Sequence, residues 1–65
     1  MSNKVQDIYS EIEFSDLLDE AEKNAANAWE ETFVSDLRAK FNEYGIRMFL
    51  SESQQEHLER IADGE

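Results

Sequence analysis

Apolar positions divide this chain into a weakly patterned front, a long helical stretch and a short capped tail. In residues 1–14, Val5, Ile8, Tyr9 and Ile12 recur at helical spacing, while Ile8, Ser10, Ile12 and Phe14 alternate as in a strand. Ser10 and Glu13 have the spacing of a capping box. The pattern favours a short helix or an arm over 1–14. From Ser15 to Tyr44 the periodicity is helical throughout, with Ser15 as the expected N-cap and Asp16 in the first turn. Gly45 stands where a left-handed helix stop belongs, with Ile46 positioned to reach back to Phe41.

The apolar positions of this stretch do not make one stripe. Leu17, Leu18, Ala21, Ala25 and Ala28 fall on one side. Trp29, Phe33, Leu37, Phe41 and Tyr44 fall on another, rotated by roughly a quarter to a third of a turn. Either the helix breaks near Asn24 and Asn27, or one long helix shows two surfaces to two neighbours. The run of alanines favours the continuous helix. Residues 45–50 read as an apolar connector, and Ser51 with Gln54 is a second capping box. The final helix it opens runs to about Ala62, with Leu58 and Ile61 inward and Gly64 past its end.

With no proline and both glycines at helix ends, the expectation is an all-α fold of two to three helices. A long central helix and a short C-terminal helix would form a helical hairpin over 15–65, preceded by the 1–14 arm. The expected core is Phe33, Leu37, Phe41, Ile46, Leu50, Leu58 and Ile61. Sixty-five residues make one small domain, with only about 60% of the unfolded surface buried. Such scaffolds usually need a staple. Without cysteine, and with His57 as the single histidine, disulfides and thiolate or imidazole metal sites are excluded. The apolar stripe Leu17, Leu18, Ala21 and Trp29 is therefore a candidate for partner binding or self-association as a homodimer.

Charge sharpens the picture. Sixteen acids stand against six bases, a net of -10, and residues 1–32 hold nine of the acids with two bases. Such a field repels phosphate backbones and attracts basic protein surfaces. On one continuous helix, Asp16, Asp19, Glu20, Glu30 and Glu31 would share a band about 120° wide, filled by Asn24 and Asn27. A row of carboxylates like this can imitate duplex phosphates in a basic groove. Solubility alone is the competing explanation. Trp29 and Phe33 could stack on single-stranded bases, but their neighbours are Glu30, Glu31 and Asp36. No direct nucleic-acid contact is expected. No apolar run approaches a membrane span, and no signal-peptide core opens the chain, so a cytoplasmic location follows.

Paired carboxylates such as Asp19-Glu20 and Glu30-Glu31 lack any EF-hand pattern, and His57 has no nucleophile signalled beside it. Neither an enzyme nor a cofactor is expected. From Ala28 onward, Trp29-Glu30, Phe33-Val34 and Leu37, then Tyr44-Gly45, then Leu50-Ser51, Gln54, Leu58 and Ile61, resemble a short helical module. That module recurs in small bacteriophage and plasmid proteins and in extensions of proteins near replication and recombination genes. The similarity covers about half the chain, which departs from the pattern at Ile46-Arg47-Met48-Phe49 and in its acidic front. The resemblance implies a phage or mobile-element origin and a partner in DNA metabolism or host defence.

Two functions are thus expected from different classes. One is an acidic accessory protein that binds a basic surface of a host nucleic-acid-handling or defence protein and inhibits or redirects it. The other is a structural adaptor in a replication or recombination complex, bound through the apolar stripe.

Overall fold

A computed structural model describes residues 3–64. The fold is all-α, with three helices: α1 over Glu11–Asn24, α2 over Ala28–Tyr44 and α3 over Glu52–Ala62. Two short strands, β1 (Asn3–Lys4) and β2 (Phe49–Leu50), pair antiparallel, with Asn3 opposite Leu50 and Lys4 opposite Phe49. One-turn 3-10 segments follow β1 at Val5–Asp7 and precede β2 at Gly45–Arg47.

The first helix is capped five residues before the expected N-cap at Ser15. Ser10 caps it: its hydroxyl accepts from the Glu13 amide at 3.2 Å, and its own amide donates to the Glu13 carboxylate at 2.9 Å. This capping box satisfies two amides that a helix start leaves orphaned. Within the 1–14 stretch read as a short helix or an arm, residues 3–14 pack into the fold, with Val5 and Phe14 in its core, while Met1 and Ser2 lie outside the described residues. Tyr9 and Phe41 pack their rings on Phe14 from two sides, at centroid distances of 5.7 and 5.1 Å.

The continuous central helix is not formed. The chain leaves α1 at Ala25, which is extended (φ -59, ψ 121), and re-enters helix after Asn27. Three bonds, two local and one long-range, outweigh the helix preference of the alanines, which is worth only tenths of a kcal/mol per residue. The Asn27 side chain accepts from the Glu30 amide at 2.9 Å, and the Ala26 amide donates to the Glu30 carboxylate at 2.7 Å. Asn24 donates from its side chain to the Ala62 carbonyl at 2.6 Å, tying the end of α1 to the end of α3. Asparagine competes well with the helix ladder because its short amide reaches nearby or incoming backbone groups.

The break lets α1 turn its Phe14, Leu18 and Ala21 side inward, and its most extensive helix contact is with α3. The final helix thus docks mainly on α1 rather than on the end of the central helix. The other end of α2 follows the sequence expectation. Gly45 has φ +62, a conformation other residues rarely adopt, and its amide donates to the Phe41 carbonyl. Ser51 and Gln54 form the second capping box, at 3.1 and 3.0 Å.

The core is Val5, Phe14, Leu18, Ala21, Val34, Leu37, Met48, Leu50, Leu58 and Ile61. Of the seven positions expected there, Leu37, Leu50, Leu58 and Ile61 are buried, while Phe33, Phe41 and Ile46 pack half-buried against them. Domains of this size hold about 0.05–0.15 kcal/mol of stability per residue. Replacing Leu58 by Ala should cost about 2–5 kcal/mol and leave much of the population unfolded. Ser51→Ala, losing one cap, should cost about 1 kcal/mol and leave the fold intact. Urea unfolding followed by circular dichroism distinguishes the two outcomes.

Candidate functional site: an acidic cleft between the first and last helices

The five carboxylates expected in one band are dispersed by the break. Asp16, Asp19 and Glu20 sit on α1, whereas Glu30 and Glu31 sit on α2. Glu30 is engaged at the α2 N-terminus. Asp19 is engaged too: with Glu22 it holds Arg38 of α2, at 2.5 and 2.7 Å. Partial burial of the guanidinium pulls its pKa down, and the bonds and charges of Glu22 and Asp19 outweigh that and raise it. This fork clamps α1 to α2 and takes two acids out of the free surface. An unbroken row imitating duplex phosphates does not exist.

The apolar stripe is dispersed as well. Leu18 and Ala21 are fully buried inside the protein's own core, so neither can meet a partner. Both were assigned to the surface because the α3 contact that covers them is non-local. Trp29 lies apart, 59% exposed, stacked on Phe33 at 5.3 Å, with the His57 ring edge-on at 5.5 Å. The indole therefore helps pin α3 to α2 from outside rather than filling the core.

What the fold does bring together is a cleft of about 560 Å³ between α1 and the end of α3, lined by Tyr9, Glu13, Asp16, Leu17, Glu20, Ala62 and Asp63. Leu17 is half-buried there, the one large aliphatic side chain among four carboxylates. Each wall has a local cause. Glu13 is fixed by the capping box, whose bonds with Ser10 hold its carboxyl below the usual glutamate range. Glu20 lies 3.7 Å from Lys23, an exposed pair of the kind that contributes little. Tyr9 is held by a hydrogen bond from its hydroxyl to Glu59 of α3. Burial, the bond to Glu59 and that residue's negative charge push the Tyr9 pKa up to about 12.

Asp16, Leu17 and Glu20 were expected at a partner surface and lie in this cleft. Tyr9 and Asp63 were not foreseen, because only tertiary packing places them beside α1. Among the described residues no group of three or more His, Cys, Asp or Glu could hold a metal ion, and no helix is long and apolar enough to cross a membrane. Comparison with protein families, curated proteins and solved structures finds no match to this chain.

The raised Tyr9 pKa carries a sign. Folding favours the protonated phenol, so this contribution is fully present below pH 10 and is lost as pH rises toward about 12. In a Tyr44→Phe variant, absorbance titration should show the Tyr9 phenol ionising at about pH 12, above the ordinary phenol range. Tyr9→Phe should flatten the fall in stability across that window. A Tyr9 phenol ionising at the ordinary value of 10.0 would contradict the Tyr9–Glu59 bond.

Proposed function

We propose that this protein works by binding: its α1–α3 cleft receives a basic segment of a protein partner, and occupancy inhibits or redirects that partner. The observation that carries the reading is the half-buried Leu17 set among Glu13, Asp16, Glu20 and Asp63. An apolar contact ringed by one sign of charge suits a side chain flanked by Lys or Arg. The apolar part supplies affinity, and the carboxylates supply steering and register. The net charge of -10 extends that steering beyond contact distance, within the roughly 8 Å Debye length of physiological salt.

Proteins that handle nucleic acid expose basic surfaces of this type, and the resemblance of the 28–61 segment to phage and plasmid modules points to the same partner class. The partner is thus a host or phage protein of DNA metabolism or defence. Steering and the apolar contact at Leu17 support this, rather than imitation of a duplex, since the carboxylates are no longer in one row. The adaptor reading retains only Leu17 and Trp29 from its four stripe residues, because Leu18 and Ala21 are buried.

Exchanging Asp16 and Glu20 for Lys should reduce capture of the partner from a bacterial lysate by tenfold or more, the scale of about 1.4 kcal/mol. Loss of the wild-type complex should steepen with salt. The same reversal at Glu31 and Glu43, exposed and away from the cleft, should have little effect. Capture unchanged by the Asp16 and Glu20 reversal would refute the proposal. Asp19 is unsuited to this test, because its reversal would also break the Arg38 fork.

A further inference from the structure

The bases of this acidic chain are not scattered in space. Three of the six, Lys4, Lys40 and Arg47, meet around the exposed rings of Tyr44 and Phe49 at the sheet end of the molecule. The backbone explains the meeting. Strand alternation sends Leu50 inward, so Phe49 faces out and is 63% exposed. Strand pairing sets Lys4 opposite Phe49, and its ammonium sits 5.7 Å from the ring centroid. Gly45 ends α2 and turns the chain back, so that Lys40, Tyr44, Arg47, Met48 and Phe49 line one cleft of about 360 Å³. Tyr44 is 57% exposed, so two of the four most exposed large apolar side chains flank this cleft.

We propose that this end is a second docking surface, and that its occupant is a short acidic peptide segment carrying an aromatic or large aliphatic side chain. Charge complementarity selects it. The cleft supplies apolar area in Tyr44 and Phe49, and cations on its rim in Lys40 and Arg47. A peptide of a few acids and one apolar residue can pair with both features while staying within the patch. Single-stranded nucleic acid would also find rings and cations, yet a longer polyanion must run on over a surface of net charge -10, beginning with Glu43 beside Lys40 on α2. A second copy would bring its whole like charge to the contact. A short segment avoids most of that repulsion, because beyond roughly 8 Å the field is screened at physiological salt.

The surface is distinct from the acidic cleft: no residue is shared, and the required chemistry is of opposite sign. The protein is then bifunctional, able to hold a basic partner at one end and an acidic tail or loop at the other.

The test uses the full chain and a fluorescent peptide of Asp and Glu around one central Phe, read by anisotropy and by amide chemical-shift mapping. The expected result is saturable binding with shifts centred on Lys40, Tyr44, Arg47 and Phe49. Affinity should fall about tenfold in K40E/R47E and again in Phe49→Thr. Circular dichroism of both variants should match the wild type, since these side chains are exposed and Thr retains strand preference. A peptide with Ser in place of Phe should bind more weakly. Any of four results overturns the proposal: no binding up to about 1 mM peptide, the scale of the weakest specific contacts, shifts centred elsewhere, tighter binding of a thymidine oligonucleotide of similar charge, or dimerisation that Phe49→Thr abolishes.

Discussion

Everything in this molecule depends on how α1 is seated against α3. The Phe14, Leu18 and Ala21 face of α1 is fully buried, and Leu58 and Ile61 of α3 belong to the same core. Neither helix is long enough to persist alone: isolated helices shorter than about 12–15 residues are marginal in water. The contact is made possible by the break at residues 25–27, which frees α1 from the direction of α2. It is secured at one end by Asn24 on the Ala62 carbonyl and at the other by Tyr9 on Glu59. A chain without disulfides thus gains its staple from two polar bonds placed at the ends of one apolar seam.

The same seam decides the electrostatics. With one continuous helix, the carboxylates of residues 16–31 would align, and the acidity would be a linear feature. With α1 turned onto α3, the acids are sorted by role. Some hold helix ends, Asp19 and Glu22 hold Arg38, Glu20 pairs loosely with Lys23, and Asp16 and Glu20 line a cleft together with Asp63. The bases are sorted as well: Arg38 goes to the α1–α2 clamp, whereas Lys4, Lys40 and Arg47 surround the rings at the sheet end. A uniform negative coat would serve solubility. Two patches of opposite charge suit the proposed recognition.

Local sequence signals were a good guide to helix ends and a poor guide to helix faces. Ser51 with Gln54, Gly45 and Gly64 mark their boundaries through groups only a few residues apart, and they stand where the pattern placed them. Ser10 with Glu13 was equally legible as a capping box. Its weight was lost because the strand-like alternation of Ile8, Ser10, Ile12 and Phe14 competed with it. The faces were misjudged because burial is settled by partners distant in sequence. Leu18 and Ala21 look like an available stripe until the fold buries them, and Val34, outside the expected core, is buried as well. The basic-aromatic end was invisible for the same reason, since Lys4 reaches Phe49 only through strand pairing.

The claim on which the functional reading rests is that recognition of basic chains is localised at the α1–α3 cleft rather than spread over an acidic surface. Amide chemical-shift mapping with a probe peptide of Lys and Arg around one Leu tests this directly. Localised recognition predicts saturable shifts centred on Asp16, Leu17, Glu20 and Asp63, persisting at physiological salt. Small shifts shared evenly with Glu31, Glu43 and Glu56, and vanishing together as salt is raised, would contradict it.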